Sequence, residues 1–388
     1  MIRQHPDRVR QLEWHEVGVT LPEVMAELTR IHLELGRQDV GDEDEHPHPR
    51  NCCMNLVAVV AGAEQAGHVQ QAATDLAPHH PMRLLTLELE EAHNVGRIDA
   101  WIQSEAHELP GGMPIQFEMV RLHVTGTAAA EPVTIVEPLL VPDVPTYMWW
   151  IGSPPVTDDW FIQMLEVIDC LVVDSATFER PFITTLELAG LAAALGSRVG
   201  MNDLHWQRLG TVRELVAQFF SPADRRGFLN GINAVGIDYV GEGRGNRVAA
   251  ALLVGWMAST LKWKLRRAAG GDGGTVAAYY EAHRGHPVEV DFRSVPAEGV
   301  VEGEIAALRL EAAASTRTAR LAIERNPKQP TRAHMRTAIG ESEPLEHWMP
   351  LDVPNEAELL VELVPMGRRD PIYIRSLDAA AELLRALR

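Results

Sequence analysis

The run NLVAVVAGAEQAGHVQQAATDLAPHHPMRLLTLE, Asn55–Glu88, decides the fold. Its first eight residues, Asn55 to Gly62, are a short apolar run rich in β-branched side chains, of the kind buried on both faces of a parallel sheet. Val69, Ala72, Ala73 and Leu76 then recur at helical spacing. After the turn APHHP, Met82 to Glu88 reads as a second strand. Strand, helix and strand within about 35 residues form the βαβ signature.

Working outward, Arg97 to Glu105 and Phe117 to Val124 alternate as half-buried strands, and TYMWWIG from Thr146 adds another. A helical stretch WFIQMLEVI, the strand CLVVDSA at Cys170 to Ala176, and the helix TTLELAGLAAALG continue the rhythm. Residues 50–205 therefore read as an α/β domain with a mainly parallel, Rossmann-like sheet. Upstream, residues 1–36 carry helical spacing through Leu21, Val24, Leu28, Ile31 and Leu35. The acidic break GRQDVGDEDEHPHPR closes an N-terminal helix-and-linker segment, 1–49.

The second half has another pattern. Trp206 to Phe220 is expected as one amphipathic helix, INAVGIDYV as a strand, and Arg247 to Arg267 as one long helix with Lys262, Lys264, Arg266 and Arg267 near its C-terminus, where cations suit the helix dipole. Past AGGDGGT come the strand-like runs VAAYYEA, PVEVDF, EIAALRLEA, RTARLAIER and HMRTAI, before a closing helix at Leu377 to Leu387. Strands in succession with helices set apart make 206–388 an α+β domain with a mainly antiparallel sheet.

Composition agrees with two domains: 388 residues exceed one ordinary core. The formal net charge is −19, and no long basic run offsets it, so neither nucleic acid nor an anionic membrane surface is expected as a partner. The first residues have no apolar h-region, and the longest apolar run, Val248 to Ala258, is too short to span a bilayer. Three cysteines, an odd count, argue against a disulfide framework and for a reducing, cytoplasmic setting.

No motif marks an enzyme. VGEGRGNR at Val240 to Arg247 follows a strand and opens a helix, so amides of Gly241, Gly243 and Gly245 with Arg244 and Arg247 could hold a phosphate. Asn246 stands where a dinucleotide fingerprint has glycine or alanine, and a flexible strand-to-helix turn is the plainer reading. His46 and His48 lie in the acidic linker without a third ligand at metal spacing. His79 and His80 read as turn residues, and Cys52, Cys53 and Cys170 as inert strand thiols. Ser175 ends a strand but lacks the G-x-S-x-G elbow, and Asp174 beside it is expected to cap a turn. No metal and no cofactor are expected.

Six stretches, in order, carry a resemblance: RNCCMNLVAVV (50–60), HPMRLLTLE (80–88), IVEPLLVPDVPTYMWWIGSPP (135–155), FIQMLEVIDCLVVDSATF (161–178), DLHWQRLGTVRELVAQFF (203–220) and AALLVGWMASTLKWK (250–264). Together they resemble the OpcA family of glucose-6-phosphate dehydrogenase assembly proteins. The paired tryptophans between prolines and the DLHWQRLGTVRELVAQ run are its most specific parts. Ile151 departs from it, standing where a basic residue usually follows the tryptophans, as does Met82, standing where a small hydroxyl residue is usual.

The resemblance implies a non-catalytic partner of glucose-6-phosphate dehydrogenase. Such a partner promotes the enzyme's active oligomer and allosterically raises its activity, supporting NADPH supply in the pentose phosphate pathway. Candidate contact residues are Tyr147, Trp149 and Trp150, stiffened by Pro154 and Pro155, and a second patch of Trp206, Arg208, Arg213 and Glu214. Strand alternation puts at least one of Trp149 and Trp150 in the core. A sugar-phosphate or nucleotide-binding regulator using the Gly241–Arg247 turn is the alternative.

Overall fold

The computed structural model describes residues 9–38, 52–92, 95–108, 114–243, 245–352, 354–363 and 369–387. His46 and His48 in the acidic linker lie outside them, as does Arg244. The chain divides into two compact units. The first comprises Met1–Val173, Ser197–Gly200 and Glu356–Arg369; the second comprises Asp174–Gly196, Met201–Asn355 and Asp370–Arg388. The division thus differs from expected boundaries at 49 and 205, because the N-terminal elements pack into the first unit and each unit is completed by later chain.

The first unit is built on a sheet of β1 (Val9–Val17), β2 (Met54–Val60), β3 (Met82–Glu90), β4 (Arg97–Glu108), β5 (Pro114–Thr125), β6 (Thr146–Trp150), β7 (Cys170–Val173) and β8 (Gly200–Asp203). The chain passes between the units within β8. The strand order is β1-β4-β5-β3-β2-β6-β7-β8. β2 pairs in parallel with both β3 and β6, β3 with β5, and β6 with β7, while β4 runs antiparallel to β1 and β5. The mainly parallel expectation holds, and β2, buried along its whole length, is the central run that Asn55–Gly62 announced.

β1 corrects the helical reading of residues 1–36. Among the described residues helix begins at Leu21, and Val9–Val17 is an edge strand whose half-buried Leu12 and Trp14 alternate with exposed neighbours. Val24, Leu28, Ile31 and Leu35 are buried, as their spacing required.

The second unit carries β9 (Ile232–Val240), β10 (Lys264–Gly270), β11 (Val276–Glu281), β12 (Pro287–Val295), β13 (Ile305–Ala314), β14 (Arg317–Asn326), β15 (Gln329–Ile339) and β16 (Leu345–Pro350), in the order β10-β11-β12-β9-β13-β14-β15-β16. Only the β9–β12 pair is parallel. The expected long helix stops at Leu261, because Lys262 adopts φ 58° and reverses the chain. The cationic run Lys264–Arg267 therefore lies in β10. The expected helix Trp206–Phe220 is two, Leu204–Arg208 and Gly210–Phe220.

Helix Val248–Leu261 is buried almost throughout and packs on helix Pro371–Arg385. Gly255 is the point of closest approach: a Cβ there would meet Ser376 O and come within 2.9 Å of Ala380 N. Both obstacles are backbone, so they cannot swing away. Gly255→Ala is expected to lower unfolding free energy by about 1–3 kcal/mol, as overpacking does. A urea midpoint unchanged from wild type would refute it.

Candidate functional site

The aromatic strand β6 is interior. Tyr147, Trp149 and Trp150 are all buried, because β6 lies between β2 and β7 and both of its faces are covered. Trp149 meets His68 of helix Ala63–Leu76 at 6.0 Å, and Trp150 packs edge-on against Phe161 at 5.3 Å. At least one of the two tryptophans was expected in the core, and both are there. Pro154 is buried too, and Pro155 half-buried.

Within the second unit, several residues singled out separately come together. Asp174 and Ser175 start the unit's first segment, and Asp203 caps helix Leu204–Arg208, which carries His205, Trp206 and Arg208. Asp370 caps helix Pro371–Arg385, its Oδ1 accepting from the amides of Ile372 and Tyr373. Arg208 grips Asp174 through two hydrogen bonds, 2.8 and 2.7 Å. Asp203 Oδ1 accepts from the amides of Ser175 (3.0 Å) and His205 (2.9 Å), and its Oδ2 accepts from the Tyr373 hydroxyl at 3.4 Å. Trp206, 0% exposed, donates its indole N–H to Asp370 Oδ2 at 2.8 Å. The Arg213 guanidinium lies 3.6 Å from the centre of the Trp206 ring.

Burial and charge compete in this cluster. Burial alone would raise the Asp174 carboxyl, but the Arg208 hydrogen bonds and charge outweigh it and hold the group below the usual carboxylate range. Asp203, fully buried without such a partner, is pushed up, although the His205 ring opposes the shift. Burial drives Tyr373 well above an ordinary phenol, with the charge of Asp203 adding to it. Burial lowers Arg213 to about 10 against the pull of Asp370. Paired charges at this depth enforce one arrangement more than they add net stability.

Ser175 Oγ lies 3.3 Å from His205 Nδ1, and His205 Nε2 faces Glu304 Oε1 at 3.9 Å. Neither His205 Nε2 nor Glu304 Oε1 has a hydrogen-bond partner among the described residues. The order serine, imidazole, carboxylate resembles a nucleophile with its base. Ser175 and His205 are nevertheless buried, and two clefts of this unit, of about 610 and 480 Å³, are lined by other residues.

The glycine turn feeds the same cluster. Asn246 Nδ2 donates to Ser175 O at 2.8 Å, and Asn246 Oδ1 accepts from the Val248 amide, opening the helix. Three amides of the turn are committed inside the chain: Gly241 to Val295 O, Gly245 to Glu242 O, and Asn246 to the Glu302 carboxylate. Those donors are therefore not available to a phosphate, and the anion at Asn246 is the protein's own. Gly243 takes φ 59°, and Arg247 stands just before the helix.

Of the residues expected to meet a partner, Trp206, Arg208 and Arg213 are thus bound up internally, and Glu214 is exposed. Asp203, His205, Glu304 and Asp370 escaped the sequence reading. Asp370 had a signal, an N-cap aspartate before Pro371. No group of three His, Cys, Asp or Glu side chains among the described residues is placed to hold a metal. Of the three thiols expected to be buried, only Cys170 is; Cys52 is half-buried and Cys53 exposed, because both precede β2, although partial burial still raises the two.

Two family models match the chain in succession: the glucose-6-phosphate dehydrogenase subunit N-terminal domain over residues 73–189, and the C-terminal domain of the same subunit over residues 199–377. The chain belongs to the OpcA family of glucose-6-phosphate dehydrogenase assembly proteins. Relatives named OxPP cycle protein OpcA include one from Synechocystis sp., 30% identical over 208 residues, covering 50% of this chain and 40% of that protein. Another, from Synechococcus elongatus, is 32% identical over 181 residues, covering 46% of this chain and 39% of its own.

The alignment thus spans about two fifths of the length of these OpcA relatives. An oxidoreductase from Sinorhizobium meliloti shares the fold at 11% identity, with a TM-score of 0.50 over 87% of this chain and 96% of its own. Among the described residues of this OpcA-family chain, no helix is long and apolar enough to cross a membrane.

Proposed function

We propose that this OpcA-family chain is a non-catalytic assembly factor and allosteric activator of glucose-6-phosphate dehydrogenase, acting in the cytoplasm and supporting NADPH production. The observation that carries the proposal is the ordered succession of the two subunit-domain matches along one chain. The buried Ser175–His205 pair supports a non-catalytic reading, since a nucleophile must reach its substrate. The physical mechanism is linkage: a protein that binds the active oligomer better than the inactive form shifts that equilibrium by its differential affinity. The buried aromatics of β6 and the Trp206 cluster would act by holding the surface in shape, leaving Glu214 exposed and Pro155, Arg208 and Arg213 half-buried among the expected residues.

Titrating the purified chain into the dehydrogenase of the same organism is expected to raise activity and oligomer mass together, in a dose-dependent way. A coupling of about 1–3 kcal/mol corresponds to roughly 5- to 150-fold in affinity between the two states. Activity and mass that both stay flat would overturn the proposal.

A further inference from the structure

Within the second unit, three helices border a cleft of about 480 Å³, a size usual for small-ligand sites. Arg180, Phe182 and Ile183 come from the start of helix Pro181–Leu195, and Arg247 and Val248 from the start of helix Val248–Leu261. Leu384 and Leu387 close the cleft from helix Pro371–Arg385 and the turn beyond it. The three helices pack on one another, so the walls are held by the core of the unit.

The lining divides into two kinds of group. Phe182, Ile183, Val248, Leu384 and Leu387 make an apolar wall, on which Ile183 is left 37% exposed. Its only polar side chains are the guanidinium groups of Arg180 and Arg247. No carboxylate, hydroxyl or amide side chain lines the cleft among the described residues, in a chain of net charge −19. Acids stand nearby without entering. Glu179, beside Arg180 in sequence, does not line it; Glu302, close to Gly245, accepts from the Asn246 amide; and the charge of Glu382 bears on the Tyr280 hydroxyl. Each arginine also occupies a helix N-cap without making a cap hydrogen bond, at the end where the helix dipole repels a cation. An anion in the cleft would answer both repulsions.

We infer that this cleft binds a small amphipathic anion of the acyl class, a hydrocarbon body carrying a carboxylate or phosphate head. The two arginines take the head, since the planar guanidinium fork matches either group through paired hydrogen bonds. The apolar wall takes the body, which needs no hydrogen-bond partner. A sugar phosphate fits less well, because its hydroxyls would meet that wall and go unpaired. Amides of the adjoining glycine turn are committed inside the chain, so recognition of the head falls to the arginine side chains. An anionic membrane surface would meet a molecule of strongly negative net charge.

Calorimetric titration of the intact chain with decanoate and with decyl phosphate, each below its micelle concentration, tests the inference and distinguishes the two heads. Uncharged decanol, glucose 6-phosphate and vesicles of anionic phospholipid are the comparison arms. The variants are Arg180→Met, Arg247→Met and Ile183→Glu, with Arg336→Met on β15 as control, and melting temperatures establish that each folds. Arg180 and Ile183 are exposed, so their variants serve even where Arg247→Met does not fold. One-site binding of at least one of the two anions is expected. Each arginine variant should weaken it about 10-fold or more, the effect of losing a charged hydrogen bond, and decanol should bind more weakly by the same factor. Ile183→Glu, which sets a carboxylate against the head, should do likewise, and the control should bind as wild type. No binding of either anion by wild type, or wild-type affinity in Arg180→Met and Ile183→Glu, would overturn the inference, as would decanol binding as tightly as decanoate. Tighter binding of glucose 6-phosphate, or retention on vesicles without binding of the free anions, would assign the cleft to a sugar phosphate or to a membrane and so overturn it too.

Discussion

Trp206→Ala is expected to cost about 3–5 kcal/mol, the range for removing a large buried aromatic whose site cannot collapse. The site is held open from several sides. Asp370 accepts the indole N–H, Arg213 lies on the ring, and Tyr373 sits 5.9 Å away. Alanine leaves Asp370 Oδ2 without its donor and the Arg213 guanidinium without its platform. The measurement is a urea unfolding curve, and a loss below about 1 kcal/mol would mean that the pocket closes over the gap. Trp206→Phe separates the parts, since it keeps apolar volume and removes the hydrogen bond, worth about 1 kcal/mol.

Arg208→Met is expected to be as severe, about 3–5 kcal/mol at neutral pH, because it strands a buried carboxylate at Asp174. The pH dependence identifies the cause. In wild type the Asp174 carboxyl is held below its ordinary value near 3.8, so its contribution is present above that pH and is lost as pH falls through the lower folded value. Without Arg208 only the His205 ring and the Ala176 amide oppose burial, the largest influence, so the carboxyl rises and protonation relieves the variant on acidification. The stability gap between variant and wild type is therefore widest at neutral pH and narrows as pH falls toward 4 and below. A gap of constant size would show that Arg208 acts through packing. Asp203, raised by burial, works in the opposite sense: it costs stability above its folded value and regains it on protonation.

The sequence was most informative where a pattern is local and repeated. β2, helix Ala63–Leu76 and β3 follow from an apolar run, a 3.6-residue spacing and a second run. Most strands of the second sheet were likewise visible from alternation. Errors fell where one residue changes the path. Lys262 enters the left-handed region and ends a helix that the apolar pattern alone would continue. Val9–Val17 has too few apolar residues to separate period two from period 3.6, and β4 supplies the pairing that decides it.

The polar cluster was illegible for another reason. Asp174, Asp203, Asn246, Glu304 and Asp370 lie on five separated stretches, and each alone looks like a turn or a cap. The hydrogen bonds that tie Asp174, Asp203, Asn246 and Asp370 to their neighbours, and the approach of Glu304 to His205 and Arg208, exist only once the second unit has closed. The tryptophans of β6 were conspicuous in the chain, yet their prominence marked a packed strand.

The segmented make-up of the two units bears on how the protein can be synthesised and cut. Each unit takes three pieces of chain, and the last piece of each lies beyond residue 355. A nascent chain emerging from the ribosome therefore cannot complete either unit until Glu356–Leu363 and Pro371–Arg385 are made. The packed face of helix Val248–Leu261 that receives Pro371–Arg385 waits uncovered meanwhile. Fragments ending before residue 356 would expose that apolar surface permanently and aggregate, so the protein cannot be divided into halves by a single cut.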